Sequence, residues 1–312
     1  MAVNSRTQKP KLSKMRIKEE ILGYLWTSPW WLGFIVFSIY PTIAGFYYSF
    51  TNARWAGKSD FVGFGNYVTA LTQDARFWPA LGVMMYYAVA VVPLMLAAEL
   101  FAAIILNQKL KGENIFRTAF YIPSLMPEVS MVVIWTWILN PTYGLLNQGL
   151  KLIGIKGPGW LSSPDWAIPS LLLMAVWGAF GGTGMLIFLS TLQSVPQELY
   201  EVCDLDGGGA WEKFRHVTVP MISPAILFNL IMGIIGAFSS FLFMFLAPSV
   251  PGGPNFATYT LSLHIYSMGF VQGRMGYASA MAWLLFLIVF AIIMINYKVS
   301  GKWLFMSADI ED

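Results

Sequence analysis

The chain has 312 residues, of which 57% are hydrophobic and only 11% are charged. A soluble protein of this length needs far more charge to cover its surface, so the composition predicts a chain embedded in membrane lipid. The net charge of +3, concentrated near the N-terminus, is too small to favour a nucleic-acid partner. The single cysteine, Cys203, excludes an internal disulfide and a cysteine-based metal site.

Six long apolar stretches predict an all-α integral membrane protein with six transmembrane helices. The first stretch runs from Ile21 to about Phe50 and is too long for the apolar part of a signal peptide. It follows a basic tail, residues 1–20, which is expected to be solvated and flexible. The other stretches are long enough to cross about 30 Å of hydrocarbon. They cover residues 79–106, 118–139, 167–193, 221–247 and 276–298.

The distribution of lysine and arginine predicts the orientation. Thirteen of the 19 basic residues lie in the N-terminal tail, in the loops around Lys109 and Lys213, and at the C-terminal end. Cytoplasmic loops carry such an excess, so both termini, including the tail 301–312, and the loop between the fourth and fifth spans are predicted to be cytoplasmic. The other three loops are predicted to be short outer connections. They cover residues 51–78, 140–166 and 248–275.

The polar loop Val195 to Pro224 contains five of the 16 acidic residues and interrupts the apolar stretches. It predicts two short helices joined at three glycines, with a capping box formed by Ser194 and Gln197. The first helix is predicted to have an apolar face made of Leu199, Val202, Cys203 and Leu205. On this pattern alone, a hairpin lying on the membrane surface is an alternative.

The spacing within this loop resembles a known motif. Gly207 is the sixth residue after Glu201, and nine further residues lie between Gly207 and Val217-Thr218-Val219-Pro220. This order is similar to the EAA loop of bacterial ABC importer permeases, E-A-A-x3-G-x9-I-x-L-P. A wider match resembles the carbohydrate-uptake family that includes the maltose and glycerol-3-phosphate permeases. It involves Leu199, Tyr200, Glu201, Asp206, Gly207, Phe214, Thr218, Pro220 and Pro224.

The resemblance extends over roughly residues 30–300, and within the loop the chain departs from the motif at two places. Val202-Cys203 replace the paired alanines, and Gly208 replaces the alanine after Asp-Gly. These changes are expected to alter the detailed docking geometry and to leave the fold unchanged.

The resemblance implies a six-span permease domain, residues 21–300, whose loop 195–220 forms a coupling helix that docks on a cytoplasmic ATPase. It implies as partners a second homologous permease, an ATPase dimer and an extracytoplasmic solute-binding protein. The implied location is the inner membrane of a bacterium or archaeon. The implied coupling residues are Tyr200, Glu201, Asp206, Gly207, Phe214 and Pro220.

The sequence lacks the patterns of a catalytic site, which predicts that the chain is not an enzyme. Gly57-Lys58-Ser59 ends like a phosphate-binding loop, but Asn52 stands where that loop needs glycine. His216 and His264 are predicted on opposite sides of the membrane, so they cannot share a metal. ATP and magnesium are therefore expected on the partner ATPase, with no cofactor or metal in this chain.

Charge within the predicted spans is limited to Glu99 and Glu128. A carboxylate at the bilayer centre costs about 2.5–3.5 kcal/mol on insertion scales, so each residue needs an explanation. Glu99 is predicted to reach toward the cytoplasmic interface. Glu128 follows Pro123 and Pro127, where a broken helix frees backbone groups, and it is either a hydrogen-bond anchor or a pathway residue.

The absence of lysine and arginine from the spans favours a neutral, hydroxyl-rich solute over an anionic one. Aromatic faces and hydroxyl groups bind such a solute. Stretches of the fourth and fifth spans supply these groups, and in the maltose-type relatives the matching stretches line the sugar site. Helix packing is the alternative role for each residue. The candidates are Trp177, Phe180, Thr183, Ser239, Ser240 and Phe243, together with Glu128.

The sequence thus predicts the permease subunit of an ATP-driven importer for a sugar or oligosaccharide. One alternative is an importer of the same class for glycerol-3-phosphate or uronate-type solutes. Another is a self-sufficient secondary carrier. The chain shows no inverted repeat, and six helices are few to enclose an alternating-access route alone, which argues against the carrier.

Overall fold

The computed structural model describes residues 14–55, 59–108, 113–247 and 251–301. Within these ranges the chain is helical, and its β-structure is limited to one isolated bridge between Thr51 and Phe61. Most of both predicted tails, residues 1–13 and 302–312, lies outside the described residues.

The helices are labelled in chain order. The first eight are α1 (Lys14–Phe34), α2 (Tyr40–Ser49), α3 (Gly65–Val68), α4 (Phe77–Asn107), α5 (Glu113–Leu125), α6 (Glu128–Ile138), α7 (Leu145–Leu152) and α8 (Pro164–Ala179). The next eight are α9 (Thr183–Ser194), α10 (Gln197–Leu205), α11 (Ala210–Lys213), α12 (Val219–Met221), α13 (Ser223–Ser239), α14 (Phe241–Leu246), α15 (Leu261–Tyr266) and α16 (Met275–Ser300).

Four helical stretches are long and apolar enough to cross a membrane. They are Lys18–Ser49, Phe77–Asn107, Ser223–Leu246 and Met275–Ser300. The third and fourth predicted spans are instead helix pairs, bent by 106° between α5 and α6 and by 46° between α8 and α9. By length and composition, the described residues therefore contain four candidate spans, or up to six if each bent pair counts as one span.

The first helix begins earlier than predicted, because Lys14 to Glu20 are already helical. The expectation of a flexible tail is therefore wrong for these residues.

A π-helical turn, Ile35–Ile39, joins α1 to α2 without a break. No residue in the most apolar part of this span is buried by the rest of the chain. Only α2 packs closely, against α16, where the rings of Phe46 and Trp283 are 4.9 Å apart.

Pro127 explains why the predicted span 118–139 is not one helix, whereas Pro123 lies within α5. Pro127 precedes α6 with φ −56° and ψ 137°, outside the helical region. A residue before proline is disfavoured in the helical conformation, so α5 ends at Leu125, before Met126. The chain then turns by 106°, which leaves Glu128 in the first turn of the new helix.

Glycines lie at the second bend, which interrupts the fourth predicted span, residues 167–193. A Cβ atom at Gly181 would overlap the carbonyl oxygen of Phe120, so the junction lies directly on the backbone of α5. Gly182 has ψ 173° and precedes α9. Close backbone contact at a helix junction requires a residue without a side chain.

The helix α4 is the centre of the bundle and packs against α8, α9 and α13. Its fully buried side chains include Phe77 and Met84 in one apolar cluster, and Ala102 and Ala103 in a second.

The predicted outer loop 248–275 is more than a short connection. Within its described part, α15 buries Leu261, Leu263 and His264 in the bundle.

Candidate functional site

A cavity of about 840 Å³ lies between α4, α6, the α8–α9 bend, α13 and α14. One side of α4 lines it at every fourth residue, through Tyr87, Val91, Met95 and Glu99. Residues four apart lie on one face of an α-helix, so this face runs the length of the cavity. The bends opposite α4 open the space, because a helix that turns away from its neighbour leaves a gap.

Five of the seven predicted pathway residues line this cavity, and two do not. Trp177 packs edge to face on Trp135, with ring centroids 5.7 Å apart. The ring of Phe180 packs against that of Phe120 at 6.1 Å. For these two residues the structure shows the packing contacts that were the alternative. The five that line the cavity are Glu128, Thr183, Ser239, Ser240 and Phe243.

The serine pair lies at a break in the fifth span. Ser240 has ψ 55°, outside the helical region, and separates α13 from α14. Its Oγ donates a hydrogen bond to the carbonyl oxygen of Ala237 at 2.7 Å, which satisfies part of the backbone that the break frees. The break interrupts the helix beside Phe243, so backbone groups as well as hydroxyls face the cavity.

Glu99 lies in the cavity wall, and its predicted extension toward the membrane interface is wrong. The residue is only 9% exposed, and its carboxylate lies against α9. A Cβ atom at Gly184 would overlap this carboxylate, so the site depends on the glycine. Asn229 on α13 donates a hydrogen bond to the Gly184 carbonyl oxygen at 3.0 Å and joins the third helix to the site.

The predicted coupling loop forms α10, α11 and α12. The Tyr200 hydroxyl lies 3.0 Å from Thr218 Oγ1, and Lys213 Nζ lies 2.5 Å from Asp204 Oδ1. These contacts fold the first helix back on the segment that leads into α13. The predicted capping box is absent, because Pro196 precedes α10 and the Ser194 hydroxyl donates to Thr191 instead.

The apolar residues of α10 do not share one face as predicted. Cys203 packs inward against the apolar cluster that contains Ala102 and Ala103. Val202 and Leu205, by contrast, are 55% and 87% exposed. Glu201 is also exposed. The outward side of α10 therefore presents apolar groups beside a carboxylate, a combination suited to a protein partner.

The turn after α10 has the geometry of a glycine C-cap. The Gly208 N–H donates to the Cys203 carbonyl at 2.8 Å, and the Gly207 N–H donates to the Asp204 carbonyl at 3.0 Å. This pair of bonds ends a helix with a left-handed residue, and Gly207 has φ +79°. Asp206 and Pro220 border a groove of about 500 Å³ beside this turn. Phe214 packs on the ring of Trp211 at 5.7 Å.

A polar cluster in the outer segments was missed by the sequence analysis. Asp74 Oδ2 accepts hydrogen bonds from Tyr277 at 2.6 Å and from His264 Nε2 at 2.7 Å. The Tyr259 hydroxyl lies 3.1 Å from His264 Nδ1. Partial burial alone would raise the pKa of Asp74, but these two hydrogen bonds and one from the Arg76 N–H lower it. The partners lie about 190 residues apart in sequence, so no local pattern predicts them.

The chain matches known proteins over nearly its whole length. Residues 100–304 match the family model described as binding-protein-dependent transport system inner membrane component. The probable ABC transporter permease YesP of Bacillus subtilis is 36% identical over 94% of each chain. The arabinooligosaccharide transport permease AraP of the same organism is 33% identical, over 89% of this chain and 88% of its own.

The fold is also shared with a solved structure. A chain of a bacterial alginate ABC transporter, solved with an alginate-bound periplasmic protein, superposes with a TM-score of 0.80. It is 21% identical, and the match covers 94% of this chain and 98% of the other. The chain therefore belongs to the family of binding-protein-dependent inner membrane transport components, as a permease of the carbohydrate ABC importer type.

Proposed function

We propose that this chain is the permease subunit through which an ATP-driven importer moves a sugar or oligosaccharide into the cell. An extracytoplasmic binding protein delivers the solute, and a second homologous permease completes the pathway. A dimer of ATPase subunits binds ATP and magnesium and docks on α10. In this arrangement both termini and α10 lie on the cytoplasmic side, as the distribution of lysine and arginine predicts.

The observation that supports this proposal most strongly is the presence of two complementary features on one chain. The cavity of about 840 Å³ combines an aromatic side chain with hydroxyl and carboxylate groups suited to a saccharide. The second feature is the exposed side of α10, which offers apolar and acidic groups to a partner. The helix α9 lines the cavity and ends at Ser194, and only two residues separate it from the start of α10 at Gln197. Docking at α10 can therefore move the cavity wall as a rigid body.

The coupling role of α10 is tested by Glu201→Lys and Gly207→Leu in the complete transporter, reconstituted in liposomes. Both variants should insert and fold but lose saccharide uptake driven by ATP. Glu201→Lys reverses an exposed charge in the docking surface. A leucine at Gly207 is strained by about 1–2 kcal/mol in the left-handed region and projects a side chain from the turn.

Gly154 provides a matched control for the glycine variant. It has φ +76°, and a Cβ atom there meets nothing within 4 Å, as at Gly207. It lies in the predicted outer loop 140–166, so Gly154→Leu carries the same backbone strain away from α10. Normal uptake by both loop variants would refute the assignment of α10. Ion-driven or passive flux through the purified chain alone would instead establish the secondary carrier.

A further inference from the structure

We propose that Glu99 and Glu128 make the cavity a charge filter, which accepts neutral saccharides through their hydroxyl groups and rejects saccharides that carry carboxylate or phosphate groups. The inference rests on the proposed function and narrows the solute class. It separates a neutral sugar importer from the glycerol-3-phosphate and uronate importers of the same class.

The first observation is that Glu99 is buried without a partner. It is only 9% exposed and borders the cavity, yet no described residue forms a hydrogen bond or an ion pair with its carboxylate. Asp74, by comparison, is bound by two side chains and one backbone N–H. The Glu99 carboxylate lines the cavity and has no protein donor among the described residues, so a hydroxyl-bearing solute in the cavity can supply one.

The second observation is that three helices fix the position of Glu99. It lies on α4 with its carboxylate against Gly184 of α9, where any larger residue would overlap it. The Asn229 amide of α13 is bonded to the Gly184 carbonyl oxygen, which holds the first turn of α9 in place. A carboxylate held in this way accepts charge-assisted hydrogen bonds from solute hydroxyls.

The third observation is the charge of the cavity wall. The described residues that line the cavity include Glu99 and Glu128 but no lysine, arginine or histidine. An anionic solute that leaves water needs cationic or strongly donating partners to replace its hydration. An ionised glutamate repels such a solute, and a protonated one still offers no positive charge. The lack of cations and the charge of the ionised glutamates both disfavour an acidic saccharide, and the glutamine variants remove only the second of these contributions.

The two glutamates line the cavity from different helices. Glu99 lies on α4, and Glu128 lies in the first turn of α6. Each carboxylate can therefore be tested by itself.

The test measures binding of labelled oligosaccharides to the purified complete transporter without its binding protein. The probes are arabinose, galactose and galacturonate oligomers of equal length. The wild type should bind at least one neutral oligomer and should bind the galacturonate oligomer about tenfold more weakly. Glu99→Gln and Glu128→Gln should each reduce that discrimination severalfold. Exposed Asp165 provides the control, and Asp165→Asn should leave the ratio unchanged.

The glutamine variants keep the size of the side chain and remove only its charge. Because Glu99 has no partner in the described protein, its replacement leaves no other group unpaired. Equal binding of galacturonate and neutral oligomers by the wild type would overturn the filter and leave the importer function intact. A complete transporter that hydrolyses ATP but takes up none of the oligosaccharides would count against the proposed function itself.

Discussion

At the scale of single residues, two departures from the EAA motif, Cys203 and Gly208, lie close together at the end of α10. A Cβ atom at Gly208 would lie 2.5 Å from the sulfur of Cys203 and 2.9 Å from its carbonyl oxygen. Both distances are far shorter than a van der Waals contact. In this geometry the sulfur of Cys203 and the carbonyl oxygen of the same residue leave no room for a side chain at position 208.

This contact predicts a non-additive pair of mutations. Gly208→Ala should destabilise the protein by about 1–3 kcal/mol, because the added methyl group overpacks the turn. Adding Cys203→Ala should recover part of that loss, since it removes the sulfur but leaves the carbonyl oxygen. Thermal unfolding of the four purified forms measures the coupling. Gly149→Ala on α7, where nothing lies within 4 Å, serves as the control. Additive effects would contradict the contact.

Asp74 predicts an acid sensitivity of the outer segments. Its folded-state pKa is lowered below the ordinary value of 3.8, despite partial burial, by hydrogen bonds from Tyr277, His264 and the Arg76 backbone. The ionised form therefore stabilises the fold above pH 3.8, and this contribution is lost as the pH falls through the lowered pKa. Asp74→Asn should reduce the loss of thermal stability between neutral and acid pH.

The control for this pH dependence is Asp165→Asn. Asp165 is exposed in the first turn of α8, so its replacement should leave the acid sensitivity unchanged. An Asp74→Asn variant as acid-sensitive as the wild type would show that the hydrogen-bonded cluster does not stabilise the ionised carboxylate.

At the scale of helices, the two bends create the cavity, and adjacent glycines at the second bend differ in their environment. A Cβ atom at Gly181 would overlap the Phe120 carbonyl, whereas one at Gly182 meets its nearest neighbour at 3.5 Å, an ordinary contact. Gly181→Ala should therefore push α5 from the α8–α9 junction and cost about 1–3 kcal/mol.

Gly182→Ala provides the matched control one residue away and should change thermal stability little. Measurements of unfolding temperature and saccharide uptake should separate the two variants. If both alanine variants were equally stable, the close backbone approach of α5 to the junction would be excluded.

At the scale of the whole molecule, the first span has no buried residue in its most apolar part. An apolar surface that the rest of the chain leaves unburied is suited to contact with lipid or with the second permease proposed above. Purification of the chain in mild detergent should recover a second homologous permease and an ATPase, identified by mass spectrometry. Glu201→Lys on the exposed side of α10 should lose the ATPase and keep the permease. Recovery of the chain alone, under conditions that preserve a known importer, would contradict the proposed assembly.

The sequence alone predicted the membrane class, the approximate positions of the apolar stretches and the family. These properties depend on composition, on runs of apolar residues and on the spacing from Glu201 to Pro220, all of which are local along the chain. It also predicted a broken helix at Pro123 and Pro127, and the break occurs at Pro127, while Pro123 lies within α5. It did not predict the 106° turn, since the direction of a turn depends on what the helices pack against.

Tertiary structure alone decided which side chains meet. Thr183 and Ser239 face one cavity, whereas Trp177 and Phe180 pack against neighbouring aromatic rings, although all four were equally plausible from sequence. Glu99 lies in the cavity wall because Gly184, 85 positions later, leaves room for it. The sequence determined the local conformation and the preference for lipid. The contacts between distant segments required the packed bundle, because packing brings together residues that share no local pattern.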